Sequence, residues 1–451
     1  RTDKFLKGFL LRSSNRAKTI TLILIGIIQL LSVYYYFMYF ADNGYLPSPF
    51  VFDKSDSFMD LFHPMWWASN EGRYTEWASV YPPLNFILLN IVKWISLGGV
   101  SFSDSFALRD AGYSIKVIFI FLYLLTPIIV LKTSSWESFS VGQKALSYLG
   151  VILSTPMLFA LERGNLVIFT LIFLALALSN SGMRRAVSIA ILINLKPYFA
   201  LLLIYYAIKR RWNDLLNCTL ISGGIYLVAG LALDVNFLLF IENTIHFSKS
   251  EALFSLREVM SMPSSISSFS YVLRSDALKV SPTFYILNAA TLATIIEVTK
   301  WLIIVAMLLA LIYAHKHLSD NQIIAALVVT ITNLGIWVGG YSLIFHIALI
   351  PIFQTMKLRS IYYGILLLIF MPLDFFTLID RSEFIVAQYS YLSDSLVQVE
   401  WKLGAGSISK PALNLLLLTV LLCEVVFKSG HRENAHLPLL NGAGNRTQGE
   451  Q

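Results

Sequence analysis

The chain is 451 residues long, 56% hydrophobic and only 14% charged, with a formal net charge of +7 and a mean hydropathy of +0.67. That composition, with many apolar runs of bilayer-spanning length, excludes a soluble domain and indicates a polytopic α-helical membrane protein. The surplus of Lys and Arg then reports topology rather than an acidic partner, so nucleic acid is not an expected ligand. The two cysteines, Cys218 and Cys423, both lie inside apolar runs and form no disulfide or zinc pattern.

In chain order, apolar segments are predicted at 20–40, 114–131, 145–161, 166–180, 186–208, 215–234, 296–314, 322–338, 342–354, 361–378 and 411–427. They imply about 10–12 transmembrane helices. The first run follows a basic N-terminal piece and is too long and too poor in cleavage features for a signal peptide, so it is read as a retained signal anchor. Residues 84–98 are short for a span. Laying them along the membrane as an amphipathic helix, with Lys93 and Trp94 at the interface, puts most Lys and Arg on one face and leaves the other net acidic. Residues 42–113 then form one large external loop, dense in Trp, Tyr, His and Pro, and both chain ends are cytoplasmic.

The 186–208 run has Arg184-Arg185 before it and Lys209-Arg210-Arg211 after it, and both clusters belong on the cytoplasmic side. Asn194-Leu195-Lys196-Pro197 interrupts its middle, and proline breaks a helix there. Two half-helices that enter and leave on one side would satisfy both clusters, with Lys196 at a buried or wet turn. A kinked span with a snorkelling lysine is the alternative. Residues 235–295 and 379–410 are further external pieces, 1–427 is one membrane domain, and 428–451 is a flexible cytoplasmic tail.

Ionisable groups near the outer face are the candidates for chemistry, because charge at a membrane is retained for a partner or a function. Three aspartates, Asp53, Asp56 and Asp60, stand where the chain first emerges, followed by Trp66, Trp67 and Tyr81-Pro82-Pro83-Leu84. Glu162-Arg163-Gly164-Asn165 forms a charged tight turn. Its arginine is either part of a local ion pair or a bidentate phosphate ligand. His346 lies just inside a span and is either a packing residue or a phosphate partner. Arg109 precedes the 114–131 span and reads as an interfacial anchor, with substrate contact the second reading. The aspartates at i, i+3 and i+7 match no cation loop and no HExxH motif occurs, so neither metal nor cofactor is expected. One carboxylate near several cations suits sugar transfer from a lipid phosphate: a base for the acceptor hydroxyl and cations for the leaving phosphate.

The order of these motifs resembles the GT-C glycosyltransferase superfamily, above all the polyprenyl-phosphate-sugar-dependent branch that includes phosphatidylinositol mannosyltransferases. The likeness runs through the early loop aspartate, Tyr81-Pro82-Pro83-Leu84, Ser105-Phe106-Ala107-Leu108-Arg109, Arg163-Gly164-Asn165, Lys196-Pro197 with Lys209-Arg210-Arg211-Trp212, and Tyr341 to His346. It implies juxtamembrane helices in the first external loop, a loop aspartate as general base, and inverting transfer to a lipid or glycan acceptor on the outer leaflet. Asp60 is favoured for that aspartate, Asp56 is second, and Asp53 is a solvated turn or cap. Arg163, Lys196 and His346 would hold the donor phosphate, with Tyr81, Trp66 and Trp67 around the sugar and Glu162 and Asn165 beside it. A transporter or lipid flippase, and a polysaccharide polymerase or ligase with a lipid-diphosphate donor, are the rival classes.

Overall fold

The structure is a computed structural model that describes residues 2–47, 49–50, 54–249, 262–274, 289–371, 377–393 and 395–433. It is mostly helical: α1 Thr2–Asn43, α2 Met59–Trp67, α3 Pro83–Leu97, α4 Ser105–Ala111, α5 Tyr113–Lys132, α6 Val141–Ile152, α7 Thr155–Arg163, α8 Val167–Ser179, α9 Gly182–Leu195, α10 Leu203–Ile208, α11 Trp212–Ala232, α12 Phe237–Lys249, α13 Ser267–Arg274, α14 Ala289–Ala314, α15 Asp320–Thr332, α16 Phe345–Gln354, α17 Arg359–Phe370 and α18 Gly406–Glu433. Among the described residues five helices are long and apolar enough to cross a membrane: Leu22–Asn43 of α1, α5, α11, α14 and Gly406–Lys428 of α18. A sixth span results if α6 and α7, bent by 51° at their junction, are taken as one. This is a multi-pass membrane architecture.

The expected 10–12 crossings require the shorter apolar helices to cross as well. At 1.5 Å per residue the 13-residue α15 is about 20 Å long, short of a hydrocarbon core of about 30 Å. What α15 does instead is form the centre of the bundle. Every residue from Ile323 to Thr332 is buried, and Ser319 with Gln322 closes a capping box at its start.

Several segment boundaries differ from the sequence reading: 145–161 is broken between α6 and α7, 322–338 ends its helix at Thr332, and α14 starts at Ala289, inside the piece expected to be external. The 361–378 run ends its helix at Phe370, and residues 377–404 carry an antiparallel hairpin, β1 Thr377–Tyr389 with β2 Leu396–Gly404. The expected flexible tail starts later than 428, because α18 continues to Glu433. Of the two free thiols, Cys218 is buried and Cys423 exposed.

The 182–208 segment folds as two half-helices. Lys196 is extended (φ −143°, ψ 111°) between α9 and the 3-10 turn Pro197–Leu202 that leads into α10. Its two ends meet. Asp320 accepts from Arg185 of α9 at 3.0 Å and from Arg211, just after α10, at 2.9 Å, with Lys209 3.7 Å away. A segment whose ends share one carboxylate returns to the side it left, so Lys196 is the tip of a hairpin. Breaking the helix at Pro197 strips the Asn194 and Leu195 carbonyls of their usual i+4 donors. The fully buried Asn85 side chain, in the first turn of α3, donates to both at 3.3 and 3.1 Å. Asn85→Ala leaves those acceptors unpaired and should lower stability by about 2–3 kcal/mol, measured as the shift of a denaturation midpoint in detergent; an unchanged midpoint contradicts this bridging role.

Candidate functional site

The loop between α1 and α5 wraps the end of α7 through an interlocked pair of helix termini. Gly164 closes α7 in the left-handed region (φ 68°), where a Cβ would meet Leu61 Cβ at 2.9 Å and Phe58 at 3.1 Å. Only glycine allows that approach. Phe58 at the start of α2 is itself left-handed (φ 63°) and donates its backbone N–H to the Glu162 carbonyl at 2.9 Å. The first turn of α2 is thereby set against the charged turn, which lies more than a hundred residues away in sequence.

Arg163 divides its fork between two loop aspartates. Nη2 meets Asp60 Oδ1 at 2.7 Å and Nη1 meets Asp56 Oδ2 at 2.6 Å. Asn165 Nδ2 donates to the second oxygen of Asp60 at 2.7 Å, while its own Oδ1 caps the Val167 N–H at 3.0 Å. Asp60 thus has a charge-assisted bond on one oxygen and an amide on the other. Burial pushes its carboxyl upward, but the Arg163 guanidinium, the two hydrogen bonds and the charge of Lys196 hold it below the ordinary 3.8. The side chain stays 21% exposed, against 37% for Asp56 and 15% for Arg163. Asp60 is ionised, aimed and reachable.

The expected roles divide accordingly. Nη1 and Nη2 of Arg163, expected on a phosphate, are both held by the loop aspartates in this structure. Glu162 accepts from Ser57 Oγ at 3.2 Å through Oε1, and its buried Oε2 has no partner among the described residues. The Lys196 ammonium makes no hydrogen bond or ion pair among the described residues. Its Nζ lies over the ring of Tyr81 at 4.9 Å and that of Tyr341 at 5.8 Å, within electrostatic reach of Asp60. Tyr81 is half-buried beside it, and loss of solvent pushes its phenol well above the usual value.

His346 goes elsewhere. Fully buried, it pairs through Nε2 with Asn414 Oδ1 of α18 at 2.8 Å and shares no hydrogen bond or ion pair with Asp60, Arg163 or Lys196 among the described residues. The physical reason is the 3-10 turn Gly340–Ile344, which turns Tyr341 toward Lys196 and carries His346, five residues on, into the bundle. Arg109 is a strap: it pairs with Asp110 at 2.9 Å and donates to the Ser55 carbonyl. Trp66 donates to the Phe102 carbonyl at 3.0 Å and packs on Trp77, and Trp67 stacks between His63 and Trp77. Lys93, expected at the interface, is buried and bonds Ser69 at 2.8 Å, whereas Trp94 is exposed. Asp53 lies outside the described residues.

Three residues at the site escaped the sequence reading. His63, one turn after Asp60, feels both aspartates; burial lowers its pKa, so it is neutral at pH 7, and its Nδ1 bonds Ser105 Oγ at 2.8 Å. Its spacing from Asp60 was the available signal. Asn85 sits third in the helix opened by Pro82-Pro83, and Tyr341 was noted only as the start of the His346 motif. Comparison with protein-family models, curated proteins and solved structures finds no match to the chain.

Proposed function

We propose that the protein is an integral-membrane glycosyltransferase of the GT-C kind, moving a single sugar, a hexose or pentose, from a polyprenyl-phosphate donor to a glycolipid or cell-envelope glycan at the extracytoplasmic face of the plasma membrane. The observation that carries this reading is the pairing of an ionised, doubly anchored, partly exposed aspartate with one uncommitted lysine across an aromatic wall. Asp60 takes the proton of the acceptor hydroxyl. The acceptor oxygen bonds the anomeric carbon from the face opposite the phosphate, the bond from that carbon to the phosphate oxygen breaks, and the electron pair leaves with the polyprenyl phosphate, inverting the centre. Lys196 is the group placed to meet that charge, at a turn whose flanking amides are irregular and whose neighbours are tyrosine faces. The basic ends of the α9–α10 hairpin, gathered on Asp320, support placing that end of the bundle in the cytoplasm and Asp60 outside.

Membranes containing the protein should consume a polyprenyl-monophosphate-linked sugar and ignore a diphosphate-linked one. Consumption of neither, with flux of an unmodified lipid across reconstituted vesicles, would favour a flippase and overturn the reading. Lys196→Met should slow turnover by about 10²–10³-fold, the effect of losing one preorganised charge donor, without changing membrane levels. A turnover within a few-fold of the parent would remove Lys196 from the reaction.

A further inference from the structure

Away from Asp60, α1, α6, α16 and α17 leave a narrow open crevice that runs from Leu22 and Leu146 to Ser154 and Phe370. Its walls are Leu22, Ile25, Leu146, Ile347, Leu366 and Phe370 with few polar groups. The position follows from helix direction: Leu22 and Leu146 lie near the starts of two segments whose far ends reach the aspartate loop and Arg163. Sixteen residues of bent helix separate Ser147 from Arg163, about 20 Å. This is not the site described above.

Two features identify what fills it. The α1 face beside the mouth exposes Ile23, Leu24 and Ile27 at 41, 49 and 49%, and α1 there is a membrane span, so the crevice opens onto lipid hydrocarbon. Within it, two hydroxyls are buried without a partner among the described residues: Ser147 Oγ, on a residue only 4% exposed, and Tyr363 Oη. Buried hydroxyls are rarely left unpaired. Ser147 lies six residues after the start of α6 and Tyr363 four after the start of α17, about 6–9 Å along those helices. That is the depth at which a glycerolipid carries its ester carbonyls, and an ester carbonyl can accept from both hydroxyls, whereas an isoprenoid chain has nothing to offer them. Arg359, at the first position of α17, is within electrostatic reach of Tyr363, where the lipid phosphate would emerge.

We infer that this crevice is a binding site for one acyl chain of a glycerophospholipid, seated with its ester group at Ser147 and Tyr363. It holds α1 and α6 to α16 and α17 and is independent of the proposed transfer reaction. The test is lipid analysis by mass spectrometry of the full-length protein purified in detergent. The parent should retain about one phospholipid per chain through washing. Gly150→Leu enters the crevice, since even a Cβ at Gly150 would sit 3.0 Å from Ile25 Cγ2, and should reduce retention at least fivefold. Tyr363→Phe, which keeps the packing and removes one donor, should reduce it two- to fivefold and keeps the inference testable if the leucine variant does not fold. Equal retention by parent and Tyr363→Phe, no retained lipid in the parent, or a retained polyprenyl lipid would each overturn it.

Discussion

Replacing Asp60 by Asn is expected to abolish transfer, lowering turnover by about 10²–10⁴-fold, the range for loss of a general base. Expression should stay close to the parent and the denaturation midpoint should fall only modestly, because the amide oxygen can still accept from Arg163 while its NH2 then faces the Asn165 donor. The measurement is turnover of a labelled lipid-linked sugar in membranes, with Asp56→Asn in parallel. Asp56 shares Arg163 but lacks the Asn165 bond and is more exposed, so its variant should lose much less. Equal losses, or an active Asp60 variant, would dismiss Asp60 as the base. The same geometry sets the acid limb. A carboxyl held below 3.8 in the folded protein keeps its base form, and the stability linked to its charge, at every pH above 3.8, and loses both only as pH falls through its lower folded value. From pH 7 to pH 5, therefore, no loss of rate should trace to Asp60.

Arg163→Met should be the most destabilising single change near the site. It removes the guanidinium that two carboxylates share, with its own side chain only 15% exposed, and leaves Asp56 and Asp60 facing each other uncompensated. Breaking a largely buried ion pair on one side costs about 3–5 kcal/mol. A thermal-shift measurement should show the drop, and turnover should fall with it because Asp60 loses both its orientation and its low pKa. Arg163→Lys should recover part of the stability and little of the rate, since one ammonium cannot occupy both forks. A variant as stable as the parent would mean that the two aspartates do not depend on Arg163.

Sequence reasoning reached most elements because their periodicity is local. The long helices α5, α11, α14 and α18 lie where apolar runs predicted them, and Pro197 marked the break in the 186–208 segment. It favoured Asp60 over Asp56 without the contact that distinguishes them, because that contact is made by Asn165, 105 residues from Asp60. Arg163 was visible as an outer-face cation, but its partners depend on Gly164 letting α2 approach α7, a contact with no sequence period. His346 points to Asn414 for a rotational reason that the sequence does not carry: the 3-10 turn before α16 decides which way each residue of that segment points. The hairpin was legible and missed. Val397, Val399, Trp401 and Leu403 alternate with Gln398, Glu400 and Lys402, the period of a strand.

The shared carboxylate at the base of the α9–α10 hairpin also constrains the order in which the chain can be assembled. Arg185, Lys209 and Arg211 all leave the ribosome more than a hundred residues before Asp320, and Arg185 is buried at 4% exposure once paired. Until Asp320 arrives, the hairpin's two ends repel each other and neither can be desolvated. Insertion of the central helix α15 is thus the event that closes the hairpin and fixes its tip, so Lys196 reaches its place against Tyr81 late in biogenesis, after the loop that carries Asp60 has already been made.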